Sequence, residues 1–234
     1  MLSFPARARL AVLLLALTAG AASAAPAPRR APTVVELFTA QGCTACPQAN
    51  VLLQEVSRRR GVVALTFPVD IWDYLGWPDP GAKPEFTERQ RAYTTRLKLR
   101  EMYTPQVVVN GRREGVGFDR AKLNALISAA PRARGPSVRF RSAGSVEVSA
   151  GPGAPGDVWL ARFDPAEVTV KVTRGENRGR TLVQQNLVRQ LVRLGGWSGR
   201  TRRYALPPPP GPGLRAAVLV QESKGGPMLA AAQR

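Results

Sequence analysis

The only two cysteines of the chain, Cys43 and Cys46, have the residue type and the spacing that thiol chemistry requires. They directly follow the apolar run 33–38, and a helical pattern of apolar residues begins directly after them. A thiol at the beginning of a helix is favoured as the thiolate, so we expect Cys43 to be a nucleophile. Cys46, one helical turn further on, would then resolve the mixed disulfide. The motif therefore predicts thiol–disulfide exchange.

Two other interpretations of this cysteine pair stay open. A disulfide that closes so short a loop could fix the backbone of a non-catalytic binding module. Two thiolates could instead carry copper(I), a soft ion that prefers sulfur ligands. The chain contains no histidine, which excludes a Ser-His-Asp triad, a Cys-His pair and a histidine-ligated metal. Two cysteines do not complete a structural zinc site. For thiol–disulfide exchange we predict no metal and no organic cofactor.

The first 24 residues have the pattern of a secretory signal peptide. Arg7 and Arg9 precede the apolar run 10–17, and small residues follow at 22–24. We therefore expect a periplasmic or secreted protein without a transmembrane segment once residues 1–24 are removed. The formal net charge of +18 predicts attraction to anionic cell-envelope surfaces. An exported chain without a recognition motif is not expected to bind nucleic acid.

Helices and strands that could position the cysteines alternate along residues 25–135. Apolar and β-branched runs predict buried strands, 3.6-residue periodicity predicts helices, and Asn110-Gly111 predicts a hairpin. In chain order these are a strand at 33–38, a helix at 43–60, a strand at 61–67, a helix at 85–99, a hairpin around Asn110-Gly111 and a helix after Asp119.

The pattern changes at residue 136, where short alternating segments separated by glycine and proline begin. Such segments are typical of a smaller β-rich, sandwich-like domain, which we expect over 136–234. Segment 181–194 fits either a helix or strands, and its neighbours favour strands. The last strand is expected at 214–221. We interpret the basic segment 175–180 as a hairpin connection rather than an anion site.

Three segments of the first half resemble those of one exported, thioredoxin-like family, known as domain of unknown function twelve-twenty-three, which has no assigned activity. The segments are ELFTAQGC at 36–43, VDIWDYLGW at 69–77 and YTPQVVVNG at 103–111, and the likeness extends to GENRGR at 175–180. One position departs from the family. Pro68 stands where histidine is usual, so a proton-transfer role for that histidine cannot operate in this chain.

The resemblance implies a thioredoxin-like α/β domain (β-α-β-α-β-β-α) over residues 25–135. It further implies that the Thr104-Pro105 bond is cis and faces the active-site sulfur. The backbone at Thr104 would then bind an extended substrate, whose thiols or disulfides would be the reaction partners. An X-Pro bond is cis in only about 5–6% of cases in folded proteins, so this expectation is specific.

Four further side chains are candidates for the site. Trp72, Tyr74 and Trp77 could form the wall of a substrate groove beside the cysteines, or could pack their loop onto the domain. Glu36 could relay a proton to Cys46. A strand residue that meets solvent or a polar partner is the simpler interpretation of Glu36, because alternation leaves its facing open.

Overall fold

The computed structural model describes residues 31–131 and 133–234, so the expected signal peptide lies outside the described residues. The fold is mixed α/β, with one large mixed sheet, two smaller antiparallel sheets and three α-helices within the described residues. No helix in the two described ranges is long and apolar enough to cross a membrane.

The first half has the order of helices and strands that the sequence predicted. These are β1 (Thr33–Thr39), α1 (Cys46–Ser57), β2 (Val62–Pro68), a short 3-10 helix (Asp73–Leu75), α2 (Pro84–Arg96), β3 (Gln106–Val109), β4 (Arg113–Val116) and α3 (Arg120–Ser128). The β3–β4 hairpin turns at Asn110 and Gly111, whose φ angles of 51° and 60° fit a type I′ turn. The Asp119 carboxylate caps α3 by accepting a hydrogen bond from the Lys122 N–H at 2.9 Å.

The second half consists of strands throughout. They are β5 (Val138–Ser142), β6 (Ser145–Val148), β7 (Gly156–Asp164), β8 (Val168–Lys171), β9 (Thr181–Gln184), β10 (Leu187–Trp197), β11 (Arg202–Ala205), β12 (Arg215–Glu222) and β13 (Met228–Gln233). The preference for strands at 181–194 is confirmed by β9 and β10. The expectation that 214–221 is the last strand was wrong, because β13 follows it. Three consecutive alanines in β13 conceal the strand, since alanine is depleted in strands.

One eight-stranded sheet contains strands from both halves, in the order β13-β12-β7-β10-β2-β1-β3-β4. The halves meet where β10 runs parallel to β2, with Leu187 opposite Thr66. Thr66 reinforces this junction, because its N–H donates to Asn186 O at 3.0 Å and its hydroxyl to Gln185 O at 2.6 Å. The boundary predicted at residue 135 falls between α3 and β5, and the sheet continues across it.

The core lies on both faces of this sheet. Beneath α2, one apolar cluster joins the halves, with Phe38 and Phe67 from the first and Phe163 and Leu219 from the second. On the other face, α1 and α3 cover β1 and β3. The three-stranded sheet β11-β6-β5 packs against β7 and β12.

The β8–β9 hairpin is the element of the second half that approaches the cysteines. β9 packs against α1. The connection between β8 and β9, residues 172–180, thereby lies beside the beginning of that helix.

Candidate functional site

Cys43 and Cys46 form a disulfide, with their Cα atoms 5.4 Å apart. The sequence predicted a helix from residue 43, but helix α1 begins at Cys46. Cys43 therefore lies in the turn before the helix. Pro47 explains this boundary, since its fixed φ suits the first helical turn and its missing N–H is tolerated only there. The turn is closed by hydrogen bonds of 3.2 Å from Cys43 N to Ala40 O and from Cys46 N to Cys43 O.

The two cysteines differ in their exposure to solvent. Cys43 keeps 8% of its surface exposed and Cys46 none. Ala40 and the ring of Trp72 pack around the pair. Of the two cysteines, only Cys43 therefore has surface that solvent reaches.

Trp72 connects the disulfide with the Thr104–Pro105 segment. Its indole Nε1–H donates to Thr104 Oγ1 at 2.7 Å, while its ring packs against the cysteine cluster. The Thr104–Pro105 peptide bond is cis. Tyr74 lies next to Trp72, with ring centroids 6.1 Å apart, and 75% of its surface is exposed. The structure thus places Trp72, Tyr74 and Thr104 around one surface region beside Cys43.

Trp77 contacts the segment that precedes Cys43. Its Nε1–H donates to Gln41 Oε1 at 2.9 Å. Asp79, two residues further on, is buried and accepts hydrogen bonds from Gln41 N at 2.9 Å and from Gly81 N at 2.8 Å. Burial raises the pKa of the Asp79 carboxyl above its ordinary value. Sequence reasoning missed Asp79. Aspartate between two prolines is nevertheless a turn signal, because its carboxylate commonly accepts from the backbone N–H two residues later, here that of Gly81.

Asn177, from the β8–β9 connection, is the second residue that sequence reasoning missed. It is completely buried, and its Nδ2 donates both to Gln41 O at 2.7 Å and to Cys43 O at 2.8 Å. Arg180 Nη1 contacts Asn177 Oδ1 at 3.1 Å and Thr44 O at 3.4 Å. The family-like segment 175–180 was the available signal, but no spacing rule connects it with a loop more than 130 positions earlier.

Glu36 lies on the sheet face opposite α1. Its neighbour Leu37 packs with α1, whereas Phe38 packs with α2, and alternation places Glu36 with Phe38. The buried carboxylate accepts from Arg89 Nε at 2.6 Å and from the Tyr93 hydroxyl. The structure therefore gives Glu36 polar partners on the α2 side and does not bring it to the cysteines.

This network fixes the charge of its buried arginine. Burial alone would lower the pKa of Arg89, but the Glu36 carboxylate raises it, so the guanidinium stays charged. The pKa of Tyr93 is raised by burial, and its hydroxyl remains a donor. Within residues 31–131 and 133–234, no group of three or more cysteine, aspartate or glutamate side chains could hold a metal ion.

Comparisons with known proteins concern the family and the fold. The profile of the family described as "Protein of unknown function (DUF1223)" matches residues 34–221. Protein AGR_C_4864 from Agrobacterium tumefaciens has a crystal structure that superimposes with a TM-score of 0.71 at 31% identity, covering 88% of this chain and 95% of that one. HBP35 of Porphyromonas gingivalis superimposes with a TM-score of 0.58 at 13% identity, covering 88% and 75%, and this likeness concerns the fold alone.

No curated protein matches the chain. The family match spans most of the described residues, including the disulfide, the cis-proline segment and the β8–β9 connection. The chain therefore belongs to the DUF1223 family.

Proposed function

We propose that the protein is an extracytoplasmic thiol–disulfide oxidoreductase built on a thioredoxin-like unit of residues 25–135. The observation that carries this proposal is the disulfide at the beginning of α1, of which Cys43 is reachable from solvent and Cys46 is not. A bridge between residues three positions apart removes little entropy from the unfolded chain, so stability alone is a weak reason for it.

In the oxidised form that the structure shows, the reaction begins when a substrate thiolate attacks Cys43 Sγ. The Cys43–Cys46 bond breaks, a mixed disulfide forms between substrate and Cys43, and Cys46 leaves as a thiolate. The second thiolate of the substrate then attacks the substrate sulfur that is bonded to Cys43. A disulfide forms within the substrate, and Cys43 is released as a thiolate. The substrate has lost two electrons and gained a disulfide, and the protein holds the dithiol. The reverse sequence reduces a substrate disulfide.

The surface beside Cys43 supports binding of an extended polypeptide. The cis-Thr104–Pro105 segment is tied to the disulfide through Trp72, and the exposed Tyr74 ring lies next to it. We assign Thr104 and Pro105 to the substrate backbone and the aromatic rings of Trp72, Tyr74 and Trp77 to the groove wall. Glu36 takes no step in this mechanism, because its carboxylate is bound to other partners.

We place this reaction in the periplasm or outside the cell, where exported proteins form disulfides. The pattern of residues 1–24 supports this location. The net charge of +18, of which Arg7 and Arg9 in residues 1–24 contribute two, supports contact with anionic envelope surfaces.

Trapping of the mixed disulfide tests the mechanism. Because Cys46→Ser lacks the resolving thiol, it should accumulate an adduct with glutathione disulfide at Cys43, visible by mass spectrometry without reductant. Cys43→Ser is the matched control and should form little adduct, since Cys46 is buried. Absence of an adduct in Cys46→Ser, together with a wild-type reduction potential below about −300 mV, would mark the bridge as structural and refute the proposal.

A further inference from the structure

Asn177 binds the backbone carbonyl groups of Gln41 and Cys43, the two residues on either side of Gly42. One amide group donates to two carbonyl oxygens, those of Gln41 and Cys43, and the side chain is completely buried. The Gln41 N–H is held from the other side by the Asp79 carboxylate at 2.9 Å. The loop that carries Cys43 is therefore fixed by residues outside it, and one of these comes from the second half of the chain.

We propose that Asn177 and Arg180 are positioning residues that set the redox equilibrium of the Cys43–Cys46 pair. This inference rests on the proposed function for its biological meaning. It assigns a role to the β8–β9 connection, which the family match includes but for which it gives no task.

Asn177 acts through geometry. Two sulfurs form a disulfide readily when the backbone keeps them within bonding reach, because little freedom is then lost on oxidation. Without the Asn177 amide, the carbonyl oxygen of Gln41 loses a buried donor and the carbonyl oxygen of Cys43 keeps only Cys46 N. The cost of such unpaired groups is relieved when the loop moves. A looser loop favours the dithiol.

Arg180 acts through charge. Its guanidinium is held between Asn177 Oδ1 and Thr44 O, next to Cys43 in the chain. A positive charge at this position favours the Cys43 thiolate, and with it the reduced form. Arg180 is exposed, so the effect is screened by salt.

The test measures the equilibrium constant between the Cys43–Cys46 pair of the mature protein and glutathione. It is done at fixed pH, at low and at high salt. Asn177→Ala should shift the equilibrium constant about fivefold towards the dithiol, from the loss of two hydrogen bonds to the loop. Arg180→Gln should shift it about threefold towards the disulfide at low salt, and the shift should disappear at high salt. Arg180→Lys should restore the wild-type value in part.

Two matched controls separate these effects from general ones. Arg178→Gln removes another exposed charge from the same connection and should leave the equilibrium unchanged. Asn186→Gly removes a hydrogen bond between the two halves, from Nδ2 to Ala64 O at 2.9 Å, at a backbone with positive φ that glycine accepts. It should lower stability without changing the equilibrium.

The inference is overturned if Asn177→Ala and Arg180→Gln both stay within twofold of the wild type, or if Asn177→Ala changes only the melting temperature, as Asn186→Gly does. Should Asn177→Ala fail to fold, the exposed Arg180 still decides, through its comparison with Arg178→Gln. Glutathione equilibria need no protein substrate. Shifted equilibria in the variants, with no trapped adduct in Cys46→Ser and a wild-type potential below about −300 mV, would refute the proposed function and keep this inference. A trapped adduct with unshifted equilibria would keep the proposed function and overturn this inference.

Discussion

The buried ion pair between Glu36 and Arg89 allows a prediction with a definite size. We consider Glu36→Gln, which keeps the shape of the side chain and removes its charge. In the native protein Arg89 Nε lies 2.6 Å from Glu36 Oε1, and the two side chains are 5% and 0% exposed. The substitution therefore leaves a buried guanidinium without its counter-ion.

Loss of one partner from a buried ion pair typically costs about 3–5 kcal/mol. The remaining partners of Arg89 are neutral, since Nη2 donates to Tyr93 Oη at 3.1 Å and to Gln221 Oε1 at 3.2 Å. They keep hydrogen bonds but supply no negative charge, so we expect Glu36→Gln to lose that amount of unfolding free energy. For a chain of this size, the melting temperature should fall by about 6–20 °C.

Urea unfolding of Glu36→Gln, Arg89→Met and the double variant measures the pair directly. Each single variant leaves one buried charge without its partner, whereas the double variant leaves none. The double variant should therefore lose about 0.5–3 kcal/mol less unfolding free energy than the sum of the two single losses. Glu88→Gln, from an exposed pair with Arg91, is the matched control and should be within experimental error of the wild type. A loss below about 1 kcal/mol in Glu36→Gln, or strict additivity, would refute the reasoning. We also expect the glutathione equilibrium of Glu36→Gln to be unchanged, because the Glu36–Arg89 network does not contact the disulfide.

Two predictions concern the surroundings of the disulfide. Trp72→Phe removes the hydrogen bond to Thr104 and part of the cover over the cysteines. It should cost about 1 kcal/mol of stability and speed reduction of the disulfide by dithiothreitol, and unchanged values of both would contradict the contact. Burial raises the pKa of Asp79 above 3.8, so the folded protein binds this proton more readily than the unfolded chain does. The stability of the wild type relative to Asp79→Asn should therefore increase as the pH falls from about 7 towards about 4. Urea unfolding of both proteins at several pH values checks this, and a difference that is independent of pH would oppose it.

Local signals in the sequence predicted the first half well. The Asn110-Gly111 hairpin and the Asp119 cap follow from the backbone preferences of two or three residues. The position of the cysteine pair between a strand and a helix was predicted from the apolar patterns on either side of it, although α1 begins at Cys46. The cis bond before Pro105 came from family resemblance, because nothing local selects the rarer isomer.

The long-range part of the site could not be predicted. The contact of Asn177 with the Cys43 loop depends on the packing of β9 against α1, and the ion pair of Glu36 with Arg89 depends on which sheet face α2 covers. Neither is encoded in the spacing of residues along the chain. Strand β13 was missed because its composition is typical of a helix. Its side chains are buried in apolar clusters whose other members lie mostly far away in the sequence.

The pairing of β10 with β2 also occupies part of the outer edge of β2. Without the second half, β2 would be the edge of its sheet, with a row of free N–H and C=O groups beside the apolar side chains of Leu65 and Phe67. An edge strand of that kind invites pairing with another chain and hence aggregation. In the whole chain the second half pairs with this edge at Thr66, so we expect the first half alone to aggregate more readily than the whole protein.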